Sequence, residues 1–387
     1  MDNTATNNNH KLLGLDHLRA FAIIYVLCFH YKFFGHPDWE VGPGSFGWTG
    51  VDLFFVLSGF LIAGQLFARV ANNKPIQVKE FFIKRFFRII PPYFLALILY
   101  FSFPVLSEWG QLSPAWKYFT FTLNFGLDLS KYSTFSHAWS LCVEEQFYLI
   151  LPLCFLLFSR FKSGKKAWIL VVLVFIAGFM VRLYCWHYLV EPRIGADGIR
   201  PLWNKYVYYP TYNRLDGLLV GLSIAGLFTF YPKVKAWANR NTALLMLLGI
   251  GTLIGAYYVC IPKEGYYATL CGFTLVSLGY GFIVAAAVCP ANFLYRVKSK
   301  VTAVIATLSY SIYLVHKIVI HITQVVLEKT GMDKNSGMMM ICCFITTITV
   351  ALFMRYLVEK PALRLRNKVL LNIKRKKAIE SSPIVRV

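Results

Sequence analysis

Ten runs of roughly 20 mostly apolar residues, joined by polar connections, constrain this chain more than any other feature. A bilayer core about 30 Å thick is crossed by about 20 helical residues, and inside it only helices or closed barrels satisfy their own backbone. The runs fall at 15–34, 49–68, 86–106, 142–158, 167–189, 213–231, 242–261, 267–289, 302–327 and 337–358. They predict an all-α polytopic membrane protein with about ten transmembrane helices. Only 15% of the 387 residues are charged, against about 25% in soluble proteins.

A formal net charge of +22 would suit a nucleic-acid partner, but the distribution of the charge argues against one. The cations sit in alternate connections: Arg69 to Arg85, Arg160 to Lys166, Lys233 to Arg240, Arg296 to Lys300, and the tail from Lys360 to Arg386. The connections between them are poor in cations or mixed in sign. This asymmetry places both termini in the cytoplasm. The chain divides into a polar segment 1–11, a membrane domain 12–360 and a basic tail 361–387 that lies against the membrane surface. Nothing in 1–11 reads as a cleaved signal peptide. The nine cysteines form no CxxC and no His/Cys cluster, so neither a disulfide framework nor a metal site is expected.

The first run carries ionisable residues where lipid disfavours them: Asp16, Arg19 and His30. Arg19 and His30 are eleven helical steps apart, about 20° past three turns and about 16 Å along the axis, so they share one face. That face should look into protein or a wet cavity.

Further polar groups recur at the ends of later runs. In the second, Gly59 and Ala63 make a small-xxx-small pair for close helix packing, and Asp52 lies near the outer end. At the cytoplasmic end of the third, Arg85 and Arg88 share a face and suit an anion with phosphates; Pro91-Pro92 should break or kink the helix above them. The fourth opens Trp139-Ser140, an N-cap signal, followed by Glu144, Glu145 and Tyr148, with Glu144 and Tyr148 on one face. Arg214 and Asp216 begin the sixth. Ser309, Tyr313 and His316 form a polar stripe in the ninth. Two long outer loops stand out. Loop 107–141 holds an apolar patch at 119–125 that is interfacial or re-entrant. The aromatic-rich stretch 186–212 reads as an interfacial belt, or as a sugar-stacking surface.

Taken in order, these motifs resemble the integral-membrane acyltransferase 3 family: Arg19-x10-His30, Gly50-Val-Asp-Leu-Phe-Phe-Val-Leu-Ser-Gly-Phe-Leu-Ile62, Arg85-Phe-Phe-Arg88-Ile-Ile-Pro91, Trp139-Ser-Leu-Cys-Val-Glu144-Glu-Gln-Phe-Tyr148, Arg214-Leu-Asp216, and Ser309 to His316. The resemblance runs from about residue 12 to about 365 and is to the stand-alone form, without the family's esterase-like domain. It implies transfer of an acyl group, usually acetyl, from cytosolic acyl-CoA to a hydroxyl of a cell-surface or lipid-linked glycan in a bacterial inner membrane, with His30 as the catalytic histidine.

On that basis the expected catalytic set is His30 as general base, Glu144 or Asp52 orienting it, and Tyr148 as an oxyanion donor. Arg19, Arg85 and Arg88 would hold CoA. Trp139, Arg214, Asp216, Ser309 and His316 would line the acceptor site. No metal is expected; the expected partners are acyl-CoA, the glycan acceptor and membrane lipids, with a homodimer left open. The residues without the resemblance also admit a secondary transporter, although no paired broken helices are visible, or a non-catalytic subunit that presents glycans.

Overall fold

The computed structural model describes residues 12–34, 43–159 and 164–381, so segment 1–11, most of loop 35–48 and the last residues of the tail lie outside the described residues. Ten helices correspond to the ten apolar runs: α1 (Leu13–Tyr31), α2 (Gly50–Ala71), α3 (Val78–Ser102), α4 (Trp139–Ser159), α5 (Gly164–Tyr184), α6 (Asp216–Phe230), α7 (Thr242–Val259), α8 (Phe273–Ala287), α9 (Lys300–Glu328) and α10 (Gly337–Met354). A tail helix, α11 (Lys360–Ser381), follows. The described residues contain no strand.

Among the described residues, eight helices are long and apolar enough to cross a membrane, or nine if α6 and the Pro232–Arg240 helix, bent by 107°, form one span. The chain is therefore a multi-pass membrane protein, with fewer qualifying spans than the ten expected. The shortfall has physical causes. Alone, α6 has 15 residues, about 22 Å of helix. The third helix starts at Val78 and puts Lys79, Glu80, Lys84, Arg85 and Arg88 in its first half. Those turns pack beside α11. The π-turn Arg355–Glu359 carries the chain from α10 straight into α11, so Gly337–Lys376 reads as one 40-residue helix.

Pro91 and Pro92 do not break α3, which runs through both. They release the carbonyls of residues 87 and 88, and next to these the Tyr310 hydroxyl donates to the Ile89 carbonyl at 3.0 Å.

Burial separates the centre from the rim. Of its apolar window, α9 buries 72%, whereas the spans built on α5 and α7 bury 11% and 17%. The central α9 packs along α1, and α2 packs along α6. The α2–α6 contact depends on glycine: a Cβ on Gly59 would stand 2.1 Å from the Leu218 carbonyl oxygen, and one on Gly221 2.1 Å from that of Val56. Ala63 is fully buried on the same helix, as the small-residue pattern requires.

The two long loops fold back on the bundle. In 107–141, Tyr118, Leu123 and Phe135 are fully buried, and the Gln146 amide donates to the Phe121 carbonyl at 2.7 Å, so the loop packs on the bundle at these points while Phe119 and Phe125 stay exposed. In 186–212, Trp203, Tyr208 and Tyr209 are buried while Tyr188 is exposed. Trp203 stacks on Tyr208 at 5.2 Å and on Phe273 at 5.9 Å. Most of that aromatic stretch is core rather than belt.

Candidate active site

The polar interior is arranged in two layers joined by α1. Toward the N-terminal end of α1 lie the arginines. Arg19 has Asp16, Tyr148, Arg85 and Arg88 as its electrostatic neighbours. Arg88 pairs with Glu359 at 3.0 Å, and Arg355 and Ser311 also bind that carboxylate, which is 1% exposed. The π-turn turns Glu359 inward. On α4, Glu144 accepts from the Ser58 hydroxyl at 2.7 Å and has Arg85, Arg19 and Tyr148 as further neighbours. The Arg85 guanidinium lies 5.4 Å from the Tyr148 ring centroid, and its Nε is buried with no hydrogen-bond partner.

Toward the C-terminal end of α1 lie three imidazoles. The His30 ring is 4.8 Å from that of His316 and 6.2 Å from that of His137, and His137 is 4.8 Å from His316. His30 Nδ1 lies 3.1 Å from the Val26 carbonyl oxygen, and His316 Nδ1 lies 2.8 Å from that of Tyr313. A carbonyl can only accept, so each Nδ1 carries the proton and each Nε2 keeps its lone pair. His316 Nε2 and both nitrogens of His137 are buried without hydrogen-bond partners. Beside them Lys317 pairs with Glu108 at 3.5 Å and donates to Ser136 at 3.3 Å. Tyr313 donates to the His137 carbonyl at 2.7 Å.

Local strain aims His137. Phe135, two residues before it, is left-handed at φ 51°, a conformation that costs a bulky residue about 1–3 kcal/mol. Its ring holds the turn, packed against Tyr100 at 4.5 Å and Tyr118 at 5.7 Å.

Several expected roles are not supported by this geometry. Neither Asp52 nor Glu144 orients His30. Asp52 is paired with Arg214 at 2.8 Å, and Glu144 belongs to the arginine layer. Tyr148 sits there too, away from the imidazoles. Arg214 and Asp216 do not pair with each other; Arg182 binds Asp216 through two contacts, 2.9 and 3.3 Å. Arg214 is enclosed by rings, Phe273 at 4.1 Å, Tyr208 at 4.7 Å and Trp139 at 5.2 Å. These residues hold α2, α5, α6 and α8 together. Ser309 donates to its own helix at Ala306, 2.9 Å. Of the expected acceptor residues, only His316 reaches the imidazoles.

The residues that sequence reasoning missed are His137, Lys317, Glu108, Arg182 and Glu359. Apart from Arg355 and Tyr100, which lie close in sequence to Glu359 and Glu108, their partners lie tens to hundreds of positions away. The one local signal is His137, three residues before Ser140; Ser140 is not the expected N-cap, since it lies inside α4 with its hydroxyl 2.6 Å from that of Tyr313. A separate apolar cleft of about 510 Å³ lies between α1, α7 and α8, lined by Tyr25, Phe46, Tyr257 and Tyr280 among others. It is a different face of α1 from either polar layer.

A family model for an acyltransferase domain matches residues 12–356. The chain is 31% identical over 356 residues to the peptidoglycan O-acetyltransferase OatA of Listeria monocytogenes, covering 85% of this chain and 53% of that protein. It is 28% identical over 330 residues to the O-acetyltransferase OatA of Staphylococcus aureus, covering 79% of this chain and 50% of that protein. The chain thus spans about half the length of the curated relatives it matches. No solved structure matches it.

Proposed function

This chain belongs to the acyltransferase 3 family, and from that premise we propose that it is a membrane O-acetyltransferase moving acetyl from cytosolic acetyl-CoA to a hydroxyl of a surface or lipid-linked glycan in a bacterial inner membrane. The observation that carries the reading is the single stripe of α1 on which Arg19 joins the arginine layer and His30 joins the imidazole layer. A donor made inside would be held by its phosphates at one end. Its pantetheine arm would bring the thioester toward the other.

Both termini are then cytoplasmic, since the arginine layer adjoins α11. Arg85, with its unpartnered Nε, and Arg19 take the phosphates of CoA, for which guanidinium forks are suited; Arg88, already bound to Glu359, sets the edge of the site. His30 Nε2 removes the proton of the acceptor hydroxyl as the oxygen attacks the thioester carbonyl. An N–H of His137 donates to the oxyanion that forms. Collapse breaks the C–S bond, the imidazolium returns the proton to the sulfur, and free CoA and an acetyl ester result. Val26, through its carbonyl, takes the orienting role expected of a carboxylate.

The test is acetyl-CoA consumption and acceptor acetylation by the purified protein in lipid. His30→Ala should abolish both while the protein still inserts. Wild-type rates in that variant would refute the role of His30. Movement of solute across the bilayer without acetyl-CoA consumption would favour a transporter.

A further inference from the structure

The imidazole end of the bundle carries, besides Lys317 with its partner Glu108, two cations that the reaction above leaves unused. Lys263 lies in the connection between α7 and α8, outside the spans. Its Nζ is 4.1 Å from the Tyr208 centroid, 5.1 Å from Trp48, 5.3 Å from Trp203 and 5.6 Å from Phe29. Lys32, just past the end of α1, places its Nζ 4.6 Å from the same Phe29 ring. That ring packs edge-on against His30 at 5.4 Å. Two ammonium groups from different elements therefore flank one ring that touches the proposed base.

Their counter-charges are taken. Glu264 acts on both lysines but is bound by Arg200 at 3.0 Å. Asp52 also acts on Lys263 and is bound by Arg214 at 2.8 Å. Ring faces attract cations without neutralising them. The contrast with Lys317 is plain, since it has Glu108 at 3.5 Å.

We propose that Lys263 and Lys32 bind an anionic group, a carboxylate or a phosphate, on the acceptor whose hydroxyl faces His30. This rests on the acyltransferase reading and names the substrate class for that site. Burial, with Arg214, Lys32 and Arg200 close by, pushes the Lys263 ammonium down to about 7, and burial with Arg200 lowers Lys32 as well. An arriving anion offsets that repulsion. Affinity for it should be full below about pH 7 and fall above, as Lys263 loses its proton, within a field set by Arg214, Arg200, Lys32, Glu264, Asp52 and His30.

The experiment uses the full chain in lipid nanodiscs with acetyl-CoA and two matched acceptor pairs. One pair is an N-acetylglucosamine–N-acetylmuramic acid disaccharide with its carboxylate free or as the methyl ester. The other is a polyprenyl-diphosphate disaccharide and a neutral alkyl glycoside of the same sugars. Wild type should favour the anionic member of at least one pair by about tenfold in kcat/KM, the scale of a charge-assisted contact. Lys263→Met with Lys32→Met should bring the ratio to about one through the acceptor KM, with the acetyl-CoA KM unmoved, and Lys263→Arg should retain it. A lysine that only pins the loop to the rings would not move this ratio. Preference confined to the first pair assigns the site to a sugar acid; preference confined to the second assigns it to a lipid diphosphate. Calorimetric binding of the same acceptors without acetyl-CoA separates the two readings. Tighter binding of an anionic member, lost in the double variant, with no transfer to any acceptor keeps the anion site and overturns the acyltransferase reading. Equal handling of anionic and neutral members by wild type overturns the anion site.

Discussion

The two polar layers on α1 differ in how completely the protein satisfies them. The arginine layer is largely closed on itself: Glu359 takes Arg88, Arg355 and Ser311, and Glu144 takes Ser58. The imidazole layer is left open. No carboxylate touches its rings among the described residues, and three of its ring nitrogens are buried without partners. Leaving a buried charge unmatched costs several kcal/mol, and Arg88, Arg355 and Glu359 are matched to one another. A neutral imidazole can wait unpaired at about 1–3 kcal/mol. The difference predicts that substitutions in the first layer act on folding and donor affinity, and those in the second on rate.

The sharpest break is His30→Ala. It should lower acetyl transfer at least about a thousandfold, within the range of a lost general base, with the melting temperature in detergent unchanged. A large drop in melting temperature would merge the two layers and remove the contrast. Glu359→Ala should do the reverse, leaving two guanidinium groups facing each other and costing about 3 kcal/mol of stability, read by thermal unfolding. Next comes Arg85→Ala with Arg88→Ala, expected to raise the KM for acetyl-CoA about 30-fold with little effect on the acceptor KM, as for lost charge-assisted phosphate bonds. Unchanged donor affinity would sink the clamp. The smallest effect is expected of His137→Asn, which keeps a donor but shifts its position. A loss of about tenfold in kcat with both KM values held would sharpen the oxyanion assignment, and no loss would remove it.

Much of this was legible beforehand. The ten runs anticipate the ten helices, though not that each is long enough to span, because apolar length is a local property. The Arg19–His30 stripe follows from helical period alone, and each of its ends does enter a polar layer. Gly59 was readable because close helix approach excludes a side chain. The failures share one cause. Asp52, the alternative to Glu144 as the group orienting His30, is polar and near the outer end, yet a guanidinium 162 positions away, on Arg214, claims it. Glu144 is claimed by Ser58, 86 positions away, in the arginine layer. Aromatic residues in 186–212 looked like a belt, because sequence cannot separate a tyrosine facing lipid from one stacked beneath a loop.

The amino-acid sequence by itself determined that this is a helical membrane protein with ionisable residues on an inward face, since bilayer thickness and helical period act on each segment independently. Only the tertiary structure decided which charges meet. Glu359 joins Arg88 across 271 positions, and His137 joins His30 and His316 from a strained turn. Pairing of that kind depends on helix order, tilt and rotation about the bundle axis, which no single helix carries in its own residues.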